Sequence, residues 1–303
     1  MCVCPLVGIG RRAGGTTILL LANPPKAAII LPNHRTDETP SVAKLGKPPV
    51  VEVWLAIEIE PSPDGPRWGL PLAHDFLSAY RNEYTRVDIE GSRQYHVTHG
   101  EAGEPRIHAD EDQIDRLKAF DPAGSRCIQV SRDAIIFNCL NAGVEYPGYD
   151  AVYQEAEEKF GRFLERFRPL GIRSTSLCYA DVIEIAFDGR PSIDISDYFL
   201  IAKDFPTSPF GGMGRYSVEA AFSCPDDPGP MVLRLQSLPP QSGDDFVRFY
   251  MECKKQCTGF ESLDLHVVKS RLQRSKDYIG KCFKASFTRS GWQLFKPVDD
   301  CEE

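Results

Sequence analysis

Between residues 126 and 186 the spacing of apolar side chains changes from two to about 3.6 and back to two. A chain with that pattern has to bury one face of a sheet under a helix. A two-residue loop at Arg132-Asp133 pairs Val130 with Ile135 and Ile128 with Phe137, which puts all four on one face of an antiparallel hairpin. The Tyr146-Pro147-Gly148-Tyr149 turn ends the hairpin, and Asp150 reads as the N-cap of a helix. Val152, Tyr153, Ala156, Phe160, Phe163, Leu164 and Phe167 form one stripe of that helix, and Glu, Lys and Arg occupy the rest. Its length is about 30 Å at ~1.5 Å per residue, and Pro169 and Gly171 stop it. A strand over 176–187 then sets Leu177, Tyr179, Ile183, Ile185 and Phe187 on one side.

Asp181 interrupts that side. A buried carboxylate without a partner is costly, so the pattern predicts one, and Arg173 and Arg126 are the nearest candidates in sequence. Two readings stand side by side. Asp181 is either an edge or hydrogen-bonded structural carboxylate, or a carboxylate in a pocket. In the second case Asp181, Tyr179 and Arg173 are the candidate catalytic residues.

Other segments are read in relation to this unit. Residues 1–47 read as an extension outside the domain, disordered or arising from a mistaken upstream start codon. Arg11-Arg12 ahead of the short apolar run 16–22 leaves a twin-arginine signal as the alternative. After Pro48-Pro49, the residues Val51, Val53, Leu55, Ile57 and Ile59 alternate with Glu52, Trp54, Ala56, Glu58 and Glu60, the clearest strand in the chain. A short helix is expected over 72–80 and a further strand over 85–97. His96, His99, Glu101 and His108 suggest a metal site or a solvated loop; the glycines and proline around them favour the loop.

Residues 203–214 read as a Pro/Gly-rich loop, and Gly211-Gly212-x-Gly214 within it lacks the strand-to-helix setting of a phosphate cradle. Beyond it a second hairpin is expected over 216–223 and 231–236, then a helix over 244–256, a strand over 263–268 and a last helix over 272–287. The repeated order of hairpin, helix and strand allows two similar halves. The fold class is therefore α+β, with mainly antiparallel sheet and long amphipathic helices packed on one face. Its divisions are the extension 1–47, a first half 48–202, a second half 203–297 and a tail 298–303.

The 303 residues are 42% apolar and 26% charged, as in soluble globular chains, and no run is long and apolar enough to span a membrane. Ten cysteines, most of them single within predicted elements, suit a reducing cytoplasm. Neither Cys2-x-Cys4 nor Cys253-x3-Cys257 has a second ligand pair at zinc spacing, so no metal or other cofactor is expected. The net charge of −8 argues against a general nucleic-acid coat. Residues 253–297 nevertheless carry ten Lys or Arg against three Asp or Glu. Arg274, Lys281 and Lys284 on the last helix are thus candidate contacts for an acidic protein partner, for a second copy of the chain or, as a lesser alternative, for nucleic acid.

Taken in order, the Pro48-Pro49-Val50-Val51-Glu52-Val53 opening, the hairpin at 128–133, the Tyr146-Pro147 pair and the strand around Tyr179 resemble a sporadically distributed bacterial family of conserved hypothetical proteins. So does Leu263-Asp264-Leu265 followed by a helix bearing Phe283. The resemblance spans about residues 48 to 297. It implies a cytosolic α+β protein and carries over no reaction and no cofactor. The family's Arg-Tyr-hydrophobic-Asn strand motif is matched here by Cys178-Tyr179-Ala180-Asp181, so this chain departs from it at both polar positions.

No Gly-x-Ser-x-Gly, Gly-Lys-Ser/Thr or His-Glu-x-x-His motif occurs. The first functional expectation is a non-catalytic binding or interaction module of an accessory or defence type. The alternatives are an enzyme with its site around Asp181, and a nucleic-acid binder using the basic C-terminal helix.

Overall fold

The computed structural model describes residues 45, 48–92, 95–99, 105–109, 113–141, 145–190, 192–202, 216–239, 243, 245–259 and 262–296, with the backbone alone at 92, 95–99, 105–109 and 113. The first part of the chain forms β1 (Val50–Glu60), α1 (Leu70–Ser78), β2 (Arg86–Ser92), β3 (Tyr95–His99), β4 (Pro105–Ala109), β5 (Gln113–Phe120), β6 (Arg126–Ser131), β7 (Ala134–Leu140) and α2 (Tyr149–Phe167). The rest forms β8 (Gly171–Ala186), two 3-10 turns, β9 (Ser217–Cys224), β10 (Asp227–Ser237), β11 (Phe246–Thr258), α3 (Leu265–Ala285) and α4 (Arg289–Gln293).

Among the described residues, nine strands make one sheet in the order β2-β5-β6-β7-β1-β8-β11-β10-β9, and β3 pairs with β4 in a separate hairpin. Every pairing is antiparallel. The fold class is thus α+β with an antiparallel sheet. The sheet runs through the boundary expected at 202/203, because the whole of β11 pairs with β8.

Register decides which face is buried. Val53, Leu55 and Ile57 of β1 lie opposite Tyr179, Leu177 and Thr175 of β8, which lie opposite Cys253, Lys255 and Cys257 of β11. Directly opposed residues point to the same side. This row therefore forms a single inner face, and α2 and α3 both pack on it. Val152, Tyr153, Ala156, Phe160, Phe163 and Phe167 of α2 are buried there, and so are Val268, Leu272 and Ile279 of α3. The two helices also touch each other: the Tyr153 hydroxyl reaches the Leu265 carbonyl, and the Lys276 ammonium lies 4.8 Å from the centre of the Tyr149 ring.

The 126–140 hairpin has the expected register, with Val130 opposite Ile135 and Ile128 opposite Phe137. Four other expectations are corrected. Residues 244–256 do not form a helix but belong mostly to β11. Phe249, Met251, Cys253 and Cys257 are buried in alternation, and Lys255, buried among them, hides the two-residue period from a reading by polarity. Residues 263–268 are not a strand: Asp264 caps α3 by accepting from the His266 amide at 2.8 Å. Asp150 is not the N-cap of α2. Gly148 holds that position without a side-chain bond, at φ 91°, and Asp150 lies in the first turn. The histidine segment is not a loop: β3 and β4 pair there, with His96 opposite His108. Glu101, Gly211-Gly212-x-Gly214, Cys2-x-Cys4 and the tail 298–303 lie outside the described residues, as does the extension 1–47 apart from Leu45.

Lys255 is fully buried and needs acceptors, which the β9–β10 turn region and β11 itself supply. Its ammonium donates to the Gly229 and Gln256 carbonyls, each at 3.0 Å, and pairs with Asp227 at 3.5 Å. Gly229 makes this approach feasible. It sits at φ 106°, and a Cβ there would overlap the Gln256 carbonyl. Gly229→Ala is expected to lower stability by on the order of 2 kcal/mol through left-handed strain and overpacking together. Urea denaturation checks it, and a variant within error of the wild type would show that the turn yields freely.

Candidate functional site

β8 is the strand that carries the unusual group. From Thr175 to Ile185 its odd-numbered residues face inward, so Asp181 follows Leu177 and Tyr179 under α3 and is 3% exposed. Met251 of β11 and Val50 of β1 flank it on the neighbouring strands. Neither Arg173 nor Arg126 is its partner. Eight residues of strand separate Arg173 from Asp181, about 26 Å at ~3.3 Å per residue, and Arg173 pairs on the surface with Asp133 at 3.1 Å. Arg126 forms a two-pronged bond to Glu155 at 2.7 and 3.0 Å. Asp181 accepts no hydrogen bond from any described residue. Burial alone pushes its carboxyl from 3.8 up to about 7.

The carboxyl lies in the wall of a cavity of ≈ 180 Å³. Pro49 and Val50 at the start of β1 line one side, together with Leu45. Ile279, Gly280 and Phe283 of α3 and Trp292 of α4 line the other, Tyr179 adjoins Asp181, and Lys276 and Asp277 add charge. The aromatic wall is braced from behind, since Phe283 packs on Phe287 at 4.9 Å and on Phe295 at 5.4 Å between ring centres. The cavity is therefore mostly apolar with a single buried charge-bearing group. Pockets that hold small molecules share that composition.

Tyr179 is brought beside Asp181 but is otherwise engaged: its hydroxyl shares a 3.1 Å hydrogen bond with that of Tyr146, and the two rings meet edge-on. Burial holds both phenols well above their ordinary value, so they stay neutral. Of the three candidate catalytic residues, two are adjacent and the third is remote. Cys178, the neighbour at which the resemblance departs, faces the opposite side of the sheet, beside Trp54 in register.

The basic candidates on α3 are separate from the cavity lining. The Arg274 guanidinium is half-exposed and lies 3.9 Å from Asp227; the Lys284 ammonium sits 5.8 Å over the Trp292 ring; Lys281 is exposed. Lys276, which does line the cavity, was not singled out by the sequence pattern, and neither was Trp292. Both belong to helical positions whose spacing says nothing about which strand they cover.

On the opposite face of the sheet the polar side chains satisfy one another. Arg116 donates to Gln129, Gln129 to Asn138 and Asn138 to Glu52, at 3.1, 2.8 and 2.6 Å. Burial raises the Glu52 carboxyl, the Asn138 bond opposes that, and Glu252 across the β8 strand raises it further. Tyr250 donates to Glu252 at 3.1 Å. Among the described residues no three His, Cys, Asp or Glu side chains come together to hold a metal ion, and no helix is long and apolar enough to cross a membrane.

No protein-family model matches the chain, and no curated protein matches it.

Proposed function

We propose that this protein is a non-catalytic binding module whose ligand is a small, largely apolar molecule held in the cavity at Asp181. One observation carries this reading: a carboxyl group 3% exposed, with no hydrogen-bond partner among the described residues, faces an apolar cavity of ≈ 180 Å³. Leaving a buried polar group unpaired costs about 1–3 kcal/mol or more, and a ligand that bonds to it offsets that cost.

The cavity lining supports binding over catalysis. Nucleophilic catalysis draws on a neighbouring base to activate the nucleophile, and a paired acid and base need a second titratable group free to act beside the first. The Tyr179 hydroxyl is bonded to Tyr146, and the Lys276 ammonium lies over the Tyr149 ring.

A ligand that binds only the folded state raises its melting temperature. Thermal melts with a panel of benzene-sized compounds should therefore show shifts for some members. Val50→Phe, which fills the cavity from β1, is expected to fold and to lose those shifts. A panel without any shift in the wild type, or shifts that persist in Val50→Phe, would remove this reading.

A further inference from the structure

We propose that the molecule bound in this cavity is a small hydrophobic amine, its protonated nitrogen on the Asp181 carboxylate and its apolar body against Phe283 and Trp292. The proposal rests on the reading of the cavity as a ligand site and specifies its ligand. Size sets the first limit. A volume of ≈ 180 Å³ exceeds the ~150 Å³ of an engineered apolar cavity that admits benzene, leaving room for one ring and a short arm.

Charge sets the second. Asp181 is a hydrogen-bond acceptor when ionised, and no described residue donates to it. An ammonium group supplies both the donor and the opposite charge, and charge-assisted hydrogen bonds are the stronger kind. A ligand carboxylate would meet Asp181 as a like charge. Among the described residues the cation of the lining, Lys276, already lies over the Tyr149 ring with Asp277 beside it in sequence. Trp292 adds an aromatic face of the kind that attracts cations.

The pH dependence follows from the surroundings of the carboxyl. On β8 it adjoins Tyr179, which is neutral and bonded to Tyr146. β1 offers only Pro49 and Val50. β11 brings Met251 and Cys253, whose thiol is held up by its bond to Cys282 of α3 and by burial. Lys276 and Asp277 come from α3, and Tyr149 from the start of α2. None of these donates to Asp181, so its carboxyl ionises only near pH 7. A protonated amine needs it ionised, and its affinity should fall about tenfold for each pH unit below 7.

Isothermal titration of the full chain with 2-phenylethylamine, 2-phenylethanol and 3-phenylpropanoate at pH 8 tests the proposal. The amine is expected to bind at least about tenfold more tightly than the alcohol, and the acid not at all. In Asp181→Asn the preference for the amine over the alcohol should disappear, with circular dichroism confirming the fold. Equal binding of amine and alcohol, preference for the acid, or an amine preference that survives Asp181→Asn overturns the amine assignment and leaves the cavity reading intact. Failure of all three probes overturns both.

Discussion

Asp181→Asn raises the stability of the ligand-free fold at pH 8 by on the order of 4 kcal/mol and changes it little at pH 4. Burial has moved this carboxyl from 3.8 up to about 7, so between those values the folded chain holds a proton that the unfolded chain has released. Stability therefore falls as pH rises wherever the folded state binds more protons. The contribution of Asp181 is complete and harmless below about pH 4, is lost progressively up to about pH 7, and stays lost above it. At ~1.4 kcal/mol per pH unit that interval gives the stated size. Glu52, also raised by burial, acts with the same sign, so wild-type chain alone does not isolate Asp181. The difference between wild type and Asp181→Asn does. Urea denaturation at pH 4, 6 and 8 measures it. A difference that does not grow with pH would mean that the carboxyl finds water or a donor, and the cavity would lose its defining group. A ligand that donates to Asp181 relieves that cost, which ties the stability experiment to the ligand experiment.

How far the sequence leads to this site can be traced residue by residue. The alternation around Leu177, Tyr179, Ile183 and Ile185 marks Asp181 as facing inward, and it does so in the fold. The hairpin register was equally legible, because two-residue spacing on both strands admits one pairing through Arg132-Asp133. The partner of Asp181 was not legible. Nearness in sequence suggested Arg173 and Arg126, but β8 is extended, so eight residues carry Arg173 far along the sheet, where Asp133 meets it. The cavity itself was invisible. It arises where Val50, Tyr179, Phe283 and Trp292 converge, and these come from four elements whose mutual placement depends on strand order. Strand order was obscured in turn by β11. Its Phe246, Val247, Phe249, Tyr250 and Cys253 also satisfy a helical stripe, and the decisive alternation was masked by one inward-facing lysine.

That lysine is the source of the second large effect. Lys255 and Asp227 form a buried ion pair at 3.5 Å with side-chain exposures of 0% and 1%. The ammonium is well supplied with acceptors. The Asp227 carboxylate is less so: among the described residues its second oxygen lacks a regular hydrogen bond, with half-exposed Arg274 3.9 Å away and the Cys257 thiol beside the carboxylate. Removing either charge strands the other, so Asp227→Leu and Lys255→Met should each lower stability by about 3–5 kcal/mol. Replacing both should cost much less than the sum, because two apolar side chains of similar length can fill the same space without a charge to solvate. A residual loss is expected even then, since the Gly229 and Gln256 carbonyls give up the donor they share. Denaturant melts of the two single variants and the double variant measure the coupling. A coupling of about 2 kcal/mol or more identifies the pair as one unit. Additive losses would instead mean that Lys255 is held by the two carbonyls alone, and that Asp227 serves the turn ahead of Gly229 independently of it.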